Sequence, residues 1–305
     1  MAATSGQGGT MNKTPSAPTR GQLELRGAYA QTAADYTVEQ PWDSYSESEH
    51  GVWRTLYARQ RALLERYAAP EVLAGLTALG VDANHIPRFA AVNALLEPVT
   101  GWRIVAVPGL IPEEHFFAHL ASRSFPVSVW IRKPHELDYL SEPDLFHDFF
   151  GHVPLLANPV FARFMQAYGV AGQKAQAHAA VPLLARVYWY TVEFGLLRSA
   201  GGLRAYGAGI LSSKGETVYS IESPEPNRVA FDLERVMRTD YRIDTFQRMY
   251  FVIDSFEQLF EAGYGTDFGP LYDRIGSTPG IAPEVLLPTD RVVTRGAVAS
   301  GARAP

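Results

Sequence analysis

The sequence predicts an α+β, predominantly helical fold with a single domain, and three observations support this prediction. The chain has 305 residues, 47% of them hydrophobic, which suffices for one core of roughly 200 to 250 residues. Most apolar residues recur with helical periodicity, whereas strand-like runs are short and isolated. Both ends lack this periodicity. We therefore expect a disordered N-terminal segment at 1–35, one folded domain at 36–272 and an irregular C-terminal tail at 273–305.

Three helices are expected at the start of the domain. Apolar residues recur at helical spacing over 46–68, where Ser46 or Ser48 can cap the helix. A second helix at 70–79 begins with a proline and is ended by Gly80. A third, at 87–96, should end near Pro98 and Gly101.

The rest of the domain mixes helices with short strands. Residues 103–107 form an apolar run that Pro108-Gly109 breaks, which is typical of a strand. The helix at 112–122 begins with a proline and two glutamates, as helix N-termini prefer. Strands are further expected at 126–132, 216–221 and 250–253, helices at 159–168, 170–180, 182–198, 231–237 and 255–262, and a turn region at 203–213.

Composition excludes several classes of function. The net charge is −5 without a basic cluster, which argues against nucleic-acid and anionic-membrane surfaces. No apolar run approaches about 18 residues and no signal peptide is recognisable, so we expect a cytoplasmic protein. The absence of cysteine excludes disulfides, Cys-bound zinc and Cys-held iron–sulfur clusters. Any metal must be held by His, Asp or Glu.

Residues 141–154 contain two histidines and three carboxylates. We expect a short helix here, with Ser141 as its cap and Gly151 as a left-handed stop before Pro154. Its apolar face consists of Leu145, Phe146, Phe149 and Phe150. On an unbroken α-helix, His147 and His152 would point about 140° apart. They can share a metal ion only if Gly151 turns the chain back; otherwise they are ordinary histidines near a helix end.

Two further features bear on a metal site. His115 and His119 are four residues apart and share a helix face, but they lack the glutamate directly after the first histidine that the zincin pattern requires. Glu193 has apolar neighbours on both sides, where a carboxylate is costly unless it is paired or bound to a cation. It could pair with a nearby arginine. With His147 and His152 it would instead complete the facial triad of non-haem iron(II) oxygenases.

Three blocks of the chain resemble the signature motifs of the pterin-dependent aromatic amino acid hydroxylases, most closely the bacterial phenylalanine-hydroxylating members. They are 141–154 (SEPDLFHDFFGHVP), 188–195 (YWYTVEFG) and 206–213 (YGAGILSS), supported by 40–43 (QPWD) and 53–57 (WRTLY). The resemblance covers about residues 36–268 and implies the catalytic fold of that family. It also implies that His147, His152 and Glu193 hold Fe(II), and that a tetrahydropterin and O₂ hydroxylate an aromatic ring.

The resemblance implies further site residues. Phe116 would stack on the pterin, the backbone of Gly109 and Leu110 would border it, and Tyr188 and Asp148 would lie near it and the iron. Alone, Phe116 is equally compatible with the core, and Gly109 with a plain turn. Asp148 stands where animal members commonly carry a glutamate.

On the substrate side, the resemblance implies that Arg132 pairs with the carboxylate of the amino acid and that Asp144 orients Arg132. Trp189 and Phe194 would form the ring pocket with His147, and Ser212 and Glu216 would lie near the polar end of the substrate. Arg132 could instead be a solvated strand-end charge, and Trp189 and Phe194 plain core aromatics.

These implications predict an iron(II)- and tetrahydropterin-dependent monooxygenase that converts L-phenylalanine to L-tyrosine with O₂. Tryptophan hydroxylation is the alternative within the family, since spacing does not define the ring pocket. A His/Glu zinc hydrolase and a non-catalytic small-molecule binder are alternatives of other classes. The N-terminal region is too short for the regulatory domain of animal members, and no amphipathic tetramerisation helix follows residue 272, so we expect a monomer.

Overall fold

The computed structural model describes residues 26–138, 140, 142–264, 266–276 and 278–297. The helices are α1 Glu47–Tyr67, α2 Pro70–Ala78, α3 Phe89–Thr100, α4 Glu113–Ala121, α5 Val153–Leu156, α6 Pro159–Ala177, α7 Val181–Tyr188, α8 Ala208–Leu211, α9 Lys214–Glu222, α10 Leu233–Met237, α11 Phe256–Tyr264 and α12 Phe268–Ile275. Two π-helices, His147–His152 and Trp189–Glu193, interrupt this series. The strands are β1 Arg103–Val107, β2 Ser124–Ser128, β3 Leu196–Ser199, β4 Gly202–Ala205, β5 Asn227–Ala230, β6 Met249–Ile253 and β7 Val292–Thr294. The predominantly helical α+β prediction is confirmed.

The described strands form two sheets. β1 and β2 pair in parallel, with α4 as the crossover between them. The other sheet has the strand order β4-β3-β6-β5-β7, in which β6 pairs in parallel with both β3 and β5. β7 lies in the predicted irregular tail and pairs antiparallel with β5. The tail therefore contributes an edge strand to the domain.

The first helix confirms its predicted start. Ser46 accepts a hydrogen bond from the Glu49 backbone, and the Glu49 side chain accepts one from the Ser46 backbone, which completes a capping box. The buried face of α1 carries Trp53, whose ring lies 5.5 Å from Phe146 and 5.8 Å from Phe149. α1 thus packs directly on the segment that contains the two predicted histidine ligands.

The predicted apolar face at 145–150 is also confirmed. Its four members, Leu145, Phe146, Phe149 and Phe150, are fully buried. The rings of Phe146 and Phe150 stack with centroids 4.7 Å apart. Burying an aromatic side chain contributes about 1.5–3 kcal/mol, so this face anchors the segment firmly in the core.

Several predicted elements are wrong. Residues 216–221 belong to helix α9, because Ser213 caps it and α9 packs on α1, which overrides the β-propensity of its Thr, Val and Tyr. The helix expected at 182–198 ends at Glu193 and is followed by β3. The expected helices at 159–168 and 170–180 are one helix, α6. The second strand ends at Ser128, before Arg132.

Part of the segment predicted to be disordered is structured. Tyr29–Gln31 forms a 3₁₀ turn, and the Tyr29 hydroxyl donates to the Leu110 carbonyl at 3.0 Å. Arg26 forms an ion pair with Glu136 at 2.6 Å. Residues 26–35 therefore contact the folded domain. The expectations for residues 1–25 and for the Ser141 cap fall outside the described residues.

Two further details concern helix ends and length. α3 passes through Pro98 and ends at Thr100, where Gly101 adopts a left-handed conformation with φ 73°. Among the described residues, no helix is both long and apolar enough to cross a membrane.

A buried ion pair joins the C-terminal tail to the domain. Arg235 on α10 pairs with Asp290 at 2.9 Å, and the two side chains are only 6% and 3% exposed. The same guanidinium donates to the Val285 carbonyl. By contrast, the pair formed by Arg198 and Asp254 is about half exposed.

Asp290→Ala should therefore lower the free energy of unfolding by about 3–5 kcal/mol, because it leaves the Arg235 guanidinium buried without its counter-charge. The matched control Asp254→Ala removes an exposed partner and should cost less than about 1 kcal/mol. Urea denaturation of both variants measures the difference. Equal losses in the two variants would contradict the role given to Asp290.

Candidate metal centre and adjoining pocket

The segment with the two histidines does not turn back at Gly151, as the sequence analysis expected. His147–His152 is a π-helix that continues directly into α5, and Gly151 is not among the described glycines with positive φ. A π-helix closes i→i+5 hydrogen bonds, so residues five apart come to nearly the same side of the helix. The two imidazole rings consequently lie 5.1 Å apart. Pro154, which has no backbone N–H to donate, lies where the π-helix gives way to α5.

A second π-helix presents the carboxylate. Trp189–Glu193 extends α7, and the Phe194 backbone N–H donates to the Trp189 carbonyl at 2.8 Å, five residues back. This wider turn ends with Glu193 directed at the two histidines. π-turns inside longer helices frequently occur at functional sites. Here the two histidines of the predicted triad lie in one π-helix and Glu193 lies in another.

The three side chains converge on one point. The Nε2 atoms of His147 and His152 are 3.4 Å apart, and the carboxylate of Glu193 lies 3.5 Å from the first and 3.2 Å from the second. All three ligand atoms lie within 4.8 Å of one another. Two atoms that each bond an ion at about 2.1 Å are about 3.0 Å apart at 90° and about 3.4 Å apart at 110°. The spacing therefore fits one metal ion held on a single face.

Hydrogen bonding fixes the tautomer of His147. The Ser212 hydroxyl donates to the Ala208 carbonyl at 2.8 Å, so it accepts from His147 Nδ1 at 2.9 Å. The proton of the neutral ring is then on Nδ1, and the Nε2 lone pair faces His152 and Glu193. Such a partner on the second ring nitrogen is usual for a histidine that binds a metal.

The electrostatics of the three residues favour the binding of a positive charge between them. Burial opposes ionisation of Glu193, but His152 and His147 outweigh it and hold the pKa of the carboxyl well below its usual range. Burial would likewise lower the pKa of His147, yet the Glu193 carboxylate reverses this and raises it. A divalent cation would supply this charge and displace the proton. Two imidazoles and one carboxylate are the donor set of non-haem iron(II) sites.

Close backbone packing holds the centre together. A Cβ on Gly207 would lie 2.4 Å from the Glu193 carbonyl oxygen, and one on Gly151 would lie 2.9 Å from the Ala208 Cβ. Only glycine allows these approaches. The turn region predicted at 203–213 is in fact strand β4 followed by α8, and α8 packs on the first π-helix.

Two of the three ligands, His147 and Glu193, line a cavity of about 1020 Å³. Of the predicted substrate residues, those that line it are Arg132, Trp189, Phe194, Ser212 and Glu216. Trp189 and Phe194 lie with ring centroids 4.7 Å apart, and Tyr241 stacks on the indole at 4.4 Å with an angle of 18° between the rings. The structure thus gathers aromatic rings beside the ligands, together with Arg132 and Glu216.

Arg132 is not a solvated strand-end charge. It is buried, and its Nε and Nη2 atoms each donate to Asp144 at 2.8 Å. Asp144 also accepts from the His147 backbone N–H at 3.0 Å. One carboxylate therefore orients the guanidinium and stabilises the start of the helical segment. At the Nη1–Nη2 edge of the guanidinium, Nη1 donates a long hydrogen bond to the Leu137 carbonyl at 3.5 Å.

Glu216 is a buried carboxyl group at the cavity wall. It accepts hydrogen bonds from the Gln247 backbone N–H at 3.1 Å and from the Tyr250 hydroxyl. Burial raises the pKa of Glu216 to about 7, although both donors oppose this shift. Near neutral pH this group therefore exists in both charge states.

The predicted pterin residues form a second group. The Phe116 ring lies 5.7 Å from that of Tyr188, and the Tyr188 ring lies 6.0 Å from that of His152. Asp148 accepts from the Ser128 backbone N–H at 2.9 Å, and burial raises its pKa while His147 opposes the shift. None of these three residues lines the large cavity.

Gly109, which was predicted together with Leu110, has a φ of 156°. A Cβ there would approach the Tyr29 hydroxyl to 2.8 Å and a Glu142 oxygen to 3.2 Å. Glu142 lines the large cavity, so the Gly109 turn lies close to it. A residue with a side chain would be both strained and crowded at position 109. Only glycine therefore allows other groups to approach the backbone this closely.

The competing histidine pair does not form a metal site among the described residues. His119 Nε2 contacts the Asp35 carbonyl at 2.8 Å, and the His115 ring packs on Tyr36 at 4.8 Å. The only group of three metal-binding side chains in the described ranges is His147, His152 and Glu193. Sequence reasoning did not find Tyr241 or Gln247, which lie far along the chain and belong to no recognisable motif.

Comparisons with known proteins agree with this geometry. A family model described as biopterin-dependent aromatic amino acid hydroxylase matches residues 12–262. The phenylalanine-4-hydroxylase of Ralstonia nicotianae is 57% identical over 262 residues, which are 86% of this chain and 83% of the relative. That of Chromobacterium violaceum is 56% identical over 264 residues, 87% of this chain and 89% of the relative.

The fold is similar to that of solved structures. The crystal structure of C. violaceum phenylalanine hydroxylase with bound oxidized Fe(III) superposes with a TM-score of 0.84 at 57% identity, covering 86% of this chain and 94% of that one. The form bound to cobalt gives 0.85 at 56% identity, with 86% and 95% covered. With the family model matching most of the chain, the conclusion is that this protein belongs to the biopterin-dependent aromatic amino acid hydroxylases.

Proposed function

We propose that this protein is an iron(II)- and tetrahydropterin-dependent monooxygenase that hydroxylates L-phenylalanine to L-tyrosine with O₂. The observation that carries the proposal is the facial cluster of His147, His152 and Glu193 at a cavity that also contains an oriented arginine and stacked aromatic rings. Relatives over 50% identical carry the name phenylalanine-4-hydroxylase. Because the chain belongs to this family, we set aside the two alternatives of other classes, a zinc hydrolase and a non-catalytic binder.

His147, His152 and Glu193 would hold the iron, which together with the reduced pterin supplies the activation of O₂. Because the protein supplies only three ligands, the bound ion would keep positions for O₂ or water. Ser212 keeps the His147 tautomer that presents Nε2 to the ion.

Phe116, Tyr188 and Asp148 form the side of the site that would receive the pterin, with Gly109 and Leu110 at its border. Phe116 offers an aromatic face to a flat ring, and its neighbour Tyr188 adjoins His152. The Ser128 backbone N–H holds the carboxyl group of Asp148 in place. This carboxyl group would therefore contact a pterin, or a water molecule bound to it, without moving far.

The substrate would occupy the large cavity with its polar end at Arg132. Asp144 holds the Nε–Nη2 edge of Arg132, and the Nη1–Nη2 edge, where Nη1 has only a long 3.5 Å hydrogen bond to the Leu137 carbonyl, would grip the carboxylate through two parallel hydrogen bonds. Glu216 would lie near the amino group. Trp189 and Phe194 would enclose the ring, and this is where phenylalanine would be distinguished from tryptophan.

We propose a cytoplasmic monomer. No long amphipathic helix follows α12 among the described residues, and β7 instead pairs with β5 of its own chain. Light scattering tests this through the mass, which should be about the 33.6 kDa of one chain. A stable tetramer would contradict it.

Replacing His147, His152 or Glu193 by alanine should abolish tyrosine formation and bound iron together, since each change removes one of only three protein ligands. Iron content by metal analysis and tyrosine formation with Fe(II), tetrahydropterin and O₂ measure this. The matched control is His115→Ala, a histidine outside the cluster, which should keep both. Normal turnover in any of the three ligand variants would remove that residue from the proposed site.

Arg132→Lys should raise the Michaelis constant for phenylalanine by roughly tenfold to a hundredfold, because lysine keeps the charge and loses the planar fork. Hydrogen bonds to charged groups contribute about 1.5–3 kcal/mol, which gives this range. Tryptophan should be weakened equally, since both amino acids carry the same carboxylate. Steady-state kinetics with both substrates test this against Lys133→Ala, an exposed neighbouring cation whose loss should have little effect.

Phe116→Ala should raise the Michaelis constant for the pterin about fivefold, because stacking on an aromatic face contributes on the order of 1 kcal/mol beyond burial. Iron content should stay near that of the parent protein, since Phe116 touches no metal ligand directly. Loss of iron with an unchanged pterin constant would show that the assignment of Phe116 is wrong.

A further inference from the structure

Gln247 lies at the centre of a network that joins three parts of the pocket. It is 4% exposed and lies two residues before β6. Its side-chain oxygen accepts a hydrogen bond from the Trp189 indole Nε1 at 3.0 Å. Its backbone N–H donates to Glu216 at 3.1 Å. Its side chain also lines the cavity that faces the metal ligands.

The orientation of the Gln247 amide follows from its partners. Its Nε2 donates to the carbonyls of Arg242 at 3.0 Å and Thr245 at 3.4 Å, so both amide hydrogens point into the preceding loop. The reversed amide would place NH₂ against the indole N–H and an oxygen against two carbonyls. A carboxamide is therefore the group that satisfies Trp189 and the loop simultaneously.

The loop that Gln247 closes carries the remaining support of Trp189. Tyr241, at its start, stacks on the indole face at 4.4 Å. Ile243 and Phe246, which are about half exposed, line the mouth of the cavity. The 241–247 segment thus holds Trp189 by its edge and by its face, and it also forms part of the entrance.

We propose that Gln247 is a positioning residue that fixes the Trp189 indole and the 241–246 loop as one unit, and thereby sets which aromatic ring the pocket accepts. The inference deepens the proposed function and rests on it. Gln247 acts through Trp189, which would face the substrate ring, and through the loop that would cover it. Without the carboxamide, the indole N–H loses the one acceptor that it has among the described residues, and the ring can tilt away from its place.

Gln247→Met preserves side-chain length and removes all three side-chain hydrogen bonds. It should raise the Michaelis constant for phenylalanine about tenfold, as expected for a buried donor left without an acceptor, and change kcat less. The preference for phenylalanine over tryptophan should fall, because a mobile indole wall excludes the larger ring less effectively. The matched control Gln258→Met removes a glutamine hydrogen bond outside the pocket and should change neither constant.

A double-mutant cycle with Trp189→Phe, which lacks the indole N–H, identifies the path of the effect. If Gln247 acts through that N–H, Gln247→Met should raise the Michaelis constant less than about twofold in the Trp189→Phe background. Full additivity of the two changes would overturn the proposal.

A readout independent of turnover comes from ¹⁹F NMR of protein labelled with 5-fluorotryptophan. The Trp189 signal is assigned by its loss in Trp189→Phe, and Gln247→Met should shift or broaden it while the other four tryptophan signals remain in place. Gln247→Glu keeps an acceptor for the indole N–H, so it should shift the Trp189 signal less than Gln247→Met does. An unchanged Trp189 signal in Gln247→Met would overturn the positioning role. If the parent protein formed no tyrosine, the proposed function would fail, while the NMR result would still decide whether Gln247 positions Trp189.

Discussion

The whole site depends on one departure from ordinary helical geometry, the π-turn that places His147 and His152 on the same side of their helix. Five residues of α-helix would direct the two imidazoles apart, whereas i→i+5 closure brings their Nε2 atoms to 3.4 Å. The neighbouring core accepts the wider turn because α8 approaches Gly151 without a side chain between them. A second π-turn delivers Glu193 from the opposite direction. The ligand geometry is thus imposed by backbone closure and by packing on both sides of it.

This arrangement makes the fold and the cation interdependent. Three side chains, of which His152 is buried and His147 and Glu193 are partly exposed, converge on one point. Such a concentration of acceptors is unfavourable in the absence of positive charge. Burial opposes ionisation of both groups, yet the pKa of Glu193 is lowered and that of His147 is raised, because each group stabilises the charged form of the other. Ser212 removes the alternative tautomer and so directs the remaining lone pair to the same point.

The sequence reveals more of the ligand set than of the geometry that assembles it. Glu193 was identifiable as an unusual carboxylate among apolar residues, and the Ser46 capping box was legible because it depends on neighbours three residues apart. The π-turns were not, because their hydrogen bonds compete closely with α-helical ones and tertiary packing decides between them. The same override turned 216–221 into a helix. β7 was missed because its pairing partner, β5, lies more than sixty residues away.

The pocket has a rigid polar end and a ring end of different construction. At the polar end, Arg132 and Asp144 form a buried bidentate pair that also fixes the start of the ligand-bearing segment, so moving one would disturb the other. At the ring end, the indole of Trp189 is held by Gln247 and Tyr241, which come from a loop with exposed Ile243 and Phe246. In the proposed binding mode, recognition of the carboxylate of the amino acid would therefore be coupled to the metal centre through Asp144. Recognition of the ring would depend on Trp189, which shares its π-helix with Glu193, and on the more exposed 241–247 segment that holds the indole.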